Sequence, residues 1–369
     1  MTPLRRWVTF TLLACSLVLP SLCLADIVGP CSVCHTMHNS QQGVPVAYTI
    51  NASGGVDISD VPLANLLKTD CVGCHSSAGA ETIVDLVDVS VPMVLNFIEP
   101  TYPPDGSTMS SLAGGNFHWM IAGGDAFGHN VHGISGEDLR FPANLAPGGV
   151  PRAPECANCH GTLATAQSGC EGCHVPFHHA NTTAGNTVTG QQEGWYRFLG
   201  SVMQRDDQIG PPPEGVVGIE APDWEQNPLP DQHNVYQGQP GPFASYLETG
   251  AIDQKCAGCH SDFHNETVAN STWIRHPVDV AIPDAGEFTG FAMYNPMVPV
   301  ARQNVSLSDV NFSSINRGSD LVSCISCHRP HGSPYPAMMR WGYRDWPGTD
   351  SHTLEPAFNG CAVCHTKKD

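Results

Sequence analysis

The chain has 369 residues, and its 35 Asp and Glu outnumber 16 Lys and Arg, for a formal net charge of −19. So acidic a balance cannot release counterions from phosphates, which argues against nucleic acid as a partner. Gly and Pro supply 37 and 31 residues without a Gly-X-Y period, so something other than long helices and sheets has to organise the fold.

The amino terminus reads as an export signal over residues 1–25. Arg5 and Arg6 precede a short apolar run over 7–19, and Cys23-Leu-Ala25 offers small residues at a cleavage position before Asp26. Leu12-Leu-Ala-Cys15 is a rival lipoprotein signal, but it leaves a very short apolar region. No later stretch approaches 18 continuous apolar residues, so no transmembrane span is expected. The exported chain is then placed in the periplasm, on the outer surface or outside the cell.

Beyond residue 25 there are 14 cysteines, and every one belongs to a Cys-x-x-Cys-His pentad. In chain order these are Cys31, Cys34 and His35; Cys71, Cys74 and His75; Cys156, Cys159 and His160; and Cys170, Cys173 and His174. Cys256, Cys259 and His260, then Cys324, Cys327 and His328, then Cys361, Cys364 and His365 complete the seven. The pentad is the attachment signature of c-type haem. Two thiols three residues apart each form a thioether to a porphyrin vinyl group, and the adjacent His reaches the iron as proximal ligand. A redox disulfide or a closed zinc site also uses Cys-x-x-Cys. Neither explains a His after all seven pairs, and the cofactor expected is seven haem c.

The sequence here resembles the multihaem c-type cytochromes of the doubled-CXXCH family. The pentads at 156–160 and 170–174, whose first cysteines are 14 residues apart, match the doubled motif. Segments 31–40, 324–335 and 360–366 look like stretches of outer-surface and periplasmic cytochromes of metal-reducing bacteria. The likeness is weak over 75–155 and 180–255. It implies redox partner proteins and extracellular acceptors, and it allows a homopolymer, since some such cytochromes form filaments.

Eleven histidines remain for the distal side. His38 and His331 trail a proximal His by three residues, and His178 and His264 by four. Residues so spaced lie about 5–6 Å apart on one helix face, so a trailing His cannot round the porphyrin edge to the far side of its own haem. It reaches a neighbouring haem instead, which implies haems packed side by side. His129 and His233 recur in His-Asn-Val ahead of a pentad, and His276 is followed by Pro277, which holds it in extended backbone. These seven complete a bis-histidine set. His118, His132, His179 and His352 are surplus, with His132 and His179 as rivals of His129 and His178, and ten methionines offer an alternative axial sulfur.

Seven haems leave roughly 49 residues for each, so the macrocycles themselves supply much of the core. The expected fold is mostly irregular and haem-organised, with short helices around the CXXCH sites and little β. Residues 26–150 would form a dihaem part and 151–369 a pentahaem part. Strands are expected over 83–91 and 292–300, and a surface excursion over 211–243. The expected function is electron transfer along closely spaced haems with saturated irons. The alternative is a multihaem reductase of a nitrogen or sulfur oxyanion with one open haem, and no Cys-x-x-Cys-Lys is present to mark such a site.

Overall fold

The computed structural model describes residues 32, 35–41, 43–45, 47–50, 56–63, 70–86, 89–102, 111–131, 134, 156, 159–160, 187–188, 195–200, 215–241, 250–260, 276–308, 310–343 and 358–367. The export signal, Cys31 and Cys34, the fourth pentad with His174, and His178 and His264 lie outside the described residues.

The pentad spacing is itself a helical instruction. Positions i, i+3 and i+4 share one helix face, so one turn presents both sulfurs and the imidazole to the same side. Five α-helices occur among the described residues: α1 (Asp70–Cys74), α2 (His118–Gly123), α3 (Ile252–His260), α4 (Cys324–Cys327) and α5 (Gly360–Cys364). Four of them hold a pentad. The His backbone N–H donates to the carbonyl of the first Cys at 2.9 Å in 71–75, 3.0 Å in 324–328 and 2.9 Å in 361–365. The third pentad closes the same turn, from His160 to Cys156 at 2.8 Å. Local residues start these turns. Ser323 and Ser326 form a capping box on α4, and the Asn359 side chain accepts from the Cys361 N–H at 3.0 Å on α5.

The strands are two to four residues long. β1 (Ser40–Gln41) pairs with β2 (Val44–Pro45), and β3 (Ala47–Ile50) with β4 (Val56–Ser59), both antiparallel. β5 (Ser76–Ser77) runs parallel to β8 (Leu95–Asn96), and β6 (Ile83–Leu86) folds back on β7 (Val89–Pro92). The other strands are β9 (Thr187–Val188), β10 (Gly218–Ile219), β11 (Val235–Gln237), β12 (Val280–Ala281), β13 (Ala301–Arg302) and β14 (Leu321–Val322). They form one sheet in the order β12-β14-β13-β11-β10-β9, parallel only between β11 and β13. Tyr236, Ala301 and Leu321 of this sheet bury themselves against Ile252 of α3 and Ile325 of α4. The sheet therefore sets the fifth and sixth pentads side by side. A second cluster, with Val72, Leu95, Phe117 and Met120, lies under the second pentad.

Irregular backbone with short helices at the pentads agrees with the sequence reading, and three local expectations need correction. The strand over 83–91 is the hairpin β6–β7, with Leu86 opposite Val89, because the alternation continues through both arms of a tight reversal. The stretch over 292–300 has one isolated bridge, Met293 to Ser314, and then turns, with Val298 N donating to Asn295 O at 2.9 Å, and the strand begins at Ala301. Within 211–243 the described part is not all surface: Val216, Ile219, Val235 and Tyr236 are buried, because β10 and β11 lie inside the six-stranded sheet, while 229–232 is exposed.

Candidate haem sites

Seven of the described imidazoles share one arrangement. Nδ1 donates to a backbone carbonyl: His75 to Pro92 at 2.9 Å, His118 to Asn96 at 2.9 Å, His129 to Pro330 at 2.6 Å, His160 to Arg197 at 2.9 Å and His328 to Ala337 at 2.8 Å. His38 to Leu63 and His276 to Pro277, both at 2.9 Å, are alike. A carbonyl only accepts, so the proton is fixed on Nδ1 and the lone pair on Nε2, where a metal takes it. Burial also holds the rings neutral, lowering His75, His129 and His328, with His160 pushed down to about 4 and His331 to about 3.

Three pairs of rings lie near one another, two tilted and one edge-on. The centroids are 6.1 Å apart for His129 and His260, 6.2 Å for His160 and His331, and 6.2 Å for His276 and His365. Two Fe–N bonds of about 2.0 Å, with the ring radius added, separate two axial imidazole centroids by about 6.3 Å. The residues present therefore fit an iron between each pair. The pairs join a pentad's own His to one far along the chain, and His331, three residues after His328, faces the third pentad rather than its own.

The distal histidines are held by a clamp around residues 328–333. Arg329 is buried; its Nε donates to Tyr102 Oη at 2.9 Å and its Nη1 to Leu112 O at 2.7 Å. His331 N donates to Gly114 O at 2.7 Å, and the ring stacks on Phe117 at 4.8 Å. Gly332 has φ +145, and a Cβ there would come within 2.7 Å of Asn116 O and 2.8 Å of Phe127 O. Only glycine fits such an approach.

The pentads also approach each other. Sulfurs of Cys256 and Cys324 and a carboxylate oxygen of Asp253 lie within 4.8 Å of one another. Cys159 is within electrostatic range of Cys256 and Cys259, and Cys327 is within range of Cys361 and Cys364. The described order in space is third, fifth, sixth and seventh. None of the ten described thiols whose state is defined is in a disulfide. Burial pushes Cys327 and Cys364 up to about 12, so neither is a thiolate nucleophile at neutral pH.

His233 departs from the expected ligand arrangement. It is buried and stacked on Tyr294 at 3.5 Å, with Nδ1 at 2.6 Å from Asn234 O and Nε2 at 3.0 Å from Phe312 O. Both nitrogens are engaged, and neither is directed to a metal. His118, set aside as surplus, has the ligand-type arrangement instead. It is positioned by buried Asn116, whose Oδ1 accepts from the His118 N–H at 3.0 Å and from Asn96 N at 3.1 Å. Nothing in its spacing to a pentad signals this; the only hint is the Gly-Gly-Asn-Phe-His turn sequence over 114–118.

Residues 316–369 match the family model described as the doubled CXXCH motif. The chain is similar to the C-type cytochrome OmcS of Geobacter sulfurreducens, 24% identical, over 85% of this chain and 79% of that one. Among solved structures it is similar to the Outer Membrane Cytochrome S filament from Geobacter sulfurreducens, with TM-score 0.46 and 19% identity over 86% of this chain and 84% of that one. A cryo-EM structure of OmcS nanowires from the same organism gives TM-score 0.44 and 20% identity, over 87% of this chain and 85% of the other. With repeated haem pentads along its length and the doubled motif matched over 316–369, the chain is similar to multihaem c-type cytochromes of the doubled-CXXCH kind.

Proposed function

We propose that the chain is an electron-transfer cytochrome holding seven haem c groups with bis-histidine ligation. Haem c supplies a one-electron Fe(III)/Fe(II) couple. The observation that carries the reading is the 6.1–6.2 Å separation of three histidine pairs. Fourteen cysteines tether, and His35, His75, His160, His174, His260, His328 and His365 are the proximal ligands. His38, His129, His178, His264, His276 and His331 are distal ligands, and His118 takes the place first assigned to His233. The backbone carbonyls on Nδ1 of His38, His75, His118, His129, His160, His276 and His328 fix those rings so that reduction and oxidation need little rearrangement. Closed irons leave no site for an oxyanion, so the reductase reading is not favoured.

Assembly with further copies of the chain extends this reading. His38 is exposed beside Met37, Val44, Ile58 and Val61, each more than half exposed. Asn39 beneath it donates to Ser59 O at 2.6 Å and to Val61 O at 2.8 Å, which fixes the imidazole on an apolar surface. Such a surface suits a protein–protein contact. No helix among the described residues is long and apolar enough to cross a membrane. The proposed setting is the periplasm or the cell exterior, between redox partner proteins and an extracellular acceptor.

Intact-mass measurement of the exported protein, with a pyridine haemochrome assay, tests the cofactor count. Seven covalent haems are expected, and four or fewer would refute the reading.

A further inference from the structure

Among the anchored proximal histidines, His365 has a different kind of partner. Its Nδ1 lies 2.8 Å from Glu287 Oε1, whereas His75, His160 and His328 meet backbone carbonyls. The contact is built in from both sides. Glu287 starts the 3-10 turn Gly286–Gly290, and its carbonyl accepts from Thr366 Oγ1 at 2.7 Å and from Lys367 N at 3.1 Å. Thr366 Oγ1 in turn accepts from Gly290 N at 2.9 Å, and Phe288 lies against the His365 ring at 4.9 Å. The turn is therefore locked to the two residues that follow the imidazole. The side chains are 18% exposed for His365 and 29% for Glu287, so water screens the contact only in part.

A carboxylate accepting the Nδ1–H draws that proton towards itself and makes Nε2 a stronger donor than a carbonyl does. A stronger donor, with a negative charge behind it, stabilises Fe(III) over Fe(II). We propose that Glu287 tunes His365 so that the seventh haem is the lowest-potential centre of the chain and the end at which electrons enter. The proton stays on Nδ1 throughout, and one electron is gained and passed on without bond making. The inward neighbour is the sixth pentad, since Cys361 and Cys364 lie beside Cys327. This inference rests on the haem ligation proposed above.

The test is a spectroelectrochemical titration of the haem-loaded protein at neutral pH, with Glu287→Gln and Glu287→Asp compared to the parent. Glu287→Gln is expected to shift the most negative component, about one seventh of the absorbance change, to higher potential and leave the rest in place. Glu287→Asp should restore part of the shift. An unmoved lowest component, a downward shift, or an equal drift of all components would overturn the proposal. If the Gln variant loses haem, the parent decides: its lowest-potential haem should have the EPR g-values of an imidazolate-like ligand, and ordinary bis-imidazole values there would overturn it. Haem count is read separately by pyridine haemochrome, so a failure of the cofactor reading is distinguishable.

Discussion

The segment over 35–63 and the region from 276 onward solve the same problem in opposite ways. In the carboxy-terminal region the pentads lie against a shared sheet, and buried charged side chains are held by several partners. Arg302, for example, pairs with Asp320 at 2.5 Å and also donates to Ser314 O at 2.9 Å. The amino-terminal segment is two small hairpins whose apolar side chains face outward, with His38 among them. In the carboxy-terminal region His276, His331 and His365 each lie close to another imidazole inside the chain. His38 is also held through its Nδ1, by Leu63 O at 2.9 Å, but its side chain is exposed. The contrast separates ligands that build the protomer from one suited to join protomers.

The largest expected effect comes from breaking the clamp that holds the ordered region. Arg329→Met strips donors from Tyr102 Oη and the carbonyls of Leu112 and Ala113. It should destabilise the haem-loaded protein by about 3 kcal/mol, read by thermal unfolding, because buried acceptors lose their partners. Next, His331→Ala should leave the third haem five-coordinate. One carbon monoxide per chain should then bind on reduction while haem content stays near the parent's. Binding by none would show that His331 is not a ligand.

A pH effect should be confined to the same region. Asp253 is wholly buried, and burial together with the neighbouring Asp279 raises it from 3.8 to about 8. Asp279 is raised in turn to about 6, mainly by burial. The folded state thus retains protons that the unfolded chain has released. The stability this contributes is present at low pH and is lost as pH rises from about 4 through 8. The melting temperature should therefore fall between about pH 4 and pH 8, and Asp279→Asn should flatten that fall. An unchanged slope would remove the pair from the explanation. The smallest effect on the protomer should come from His38→Ala. Its melting temperature should stay within a degree or two of the parent, while any assembly seen by light scattering is lost.

The pentads were legible in the sequence because i, i+3, i+4 spacing fixes both chemistry and helical face. The expectation that a trailing histidine such as His331 lies by another pentad came from helical spacing, and its ring lies 6.2 Å from that of His160. Long-range partnerships were not: His160 meets His331 only because Arg329 and Gly332 allow the sixth pentad's loop to approach residues 112–128. His233 was misread because a repeated His-Asn-Val resembles a ligand segment, yet Tyr294 and Phe312, far along the chain, absorb the imidazole. The sheet was missed because its strands are too short for alternation to register. Glu287 was invisible for a related reason, since its contact spans 78 positions.

The most direct test is carbon monoxide binding to the dithionite-reduced parent protein, followed spectroscopically over a range of protein concentrations. Closed irons within the chain predict that the haems paired inside the protomer bind none at any concentration. At most one haem should bind in dilute protein, and that binding should disappear on assembly. Stoichiometric binding by two or more haems at all concentrations would contradict histidine pairing as the organising principle of the molecule.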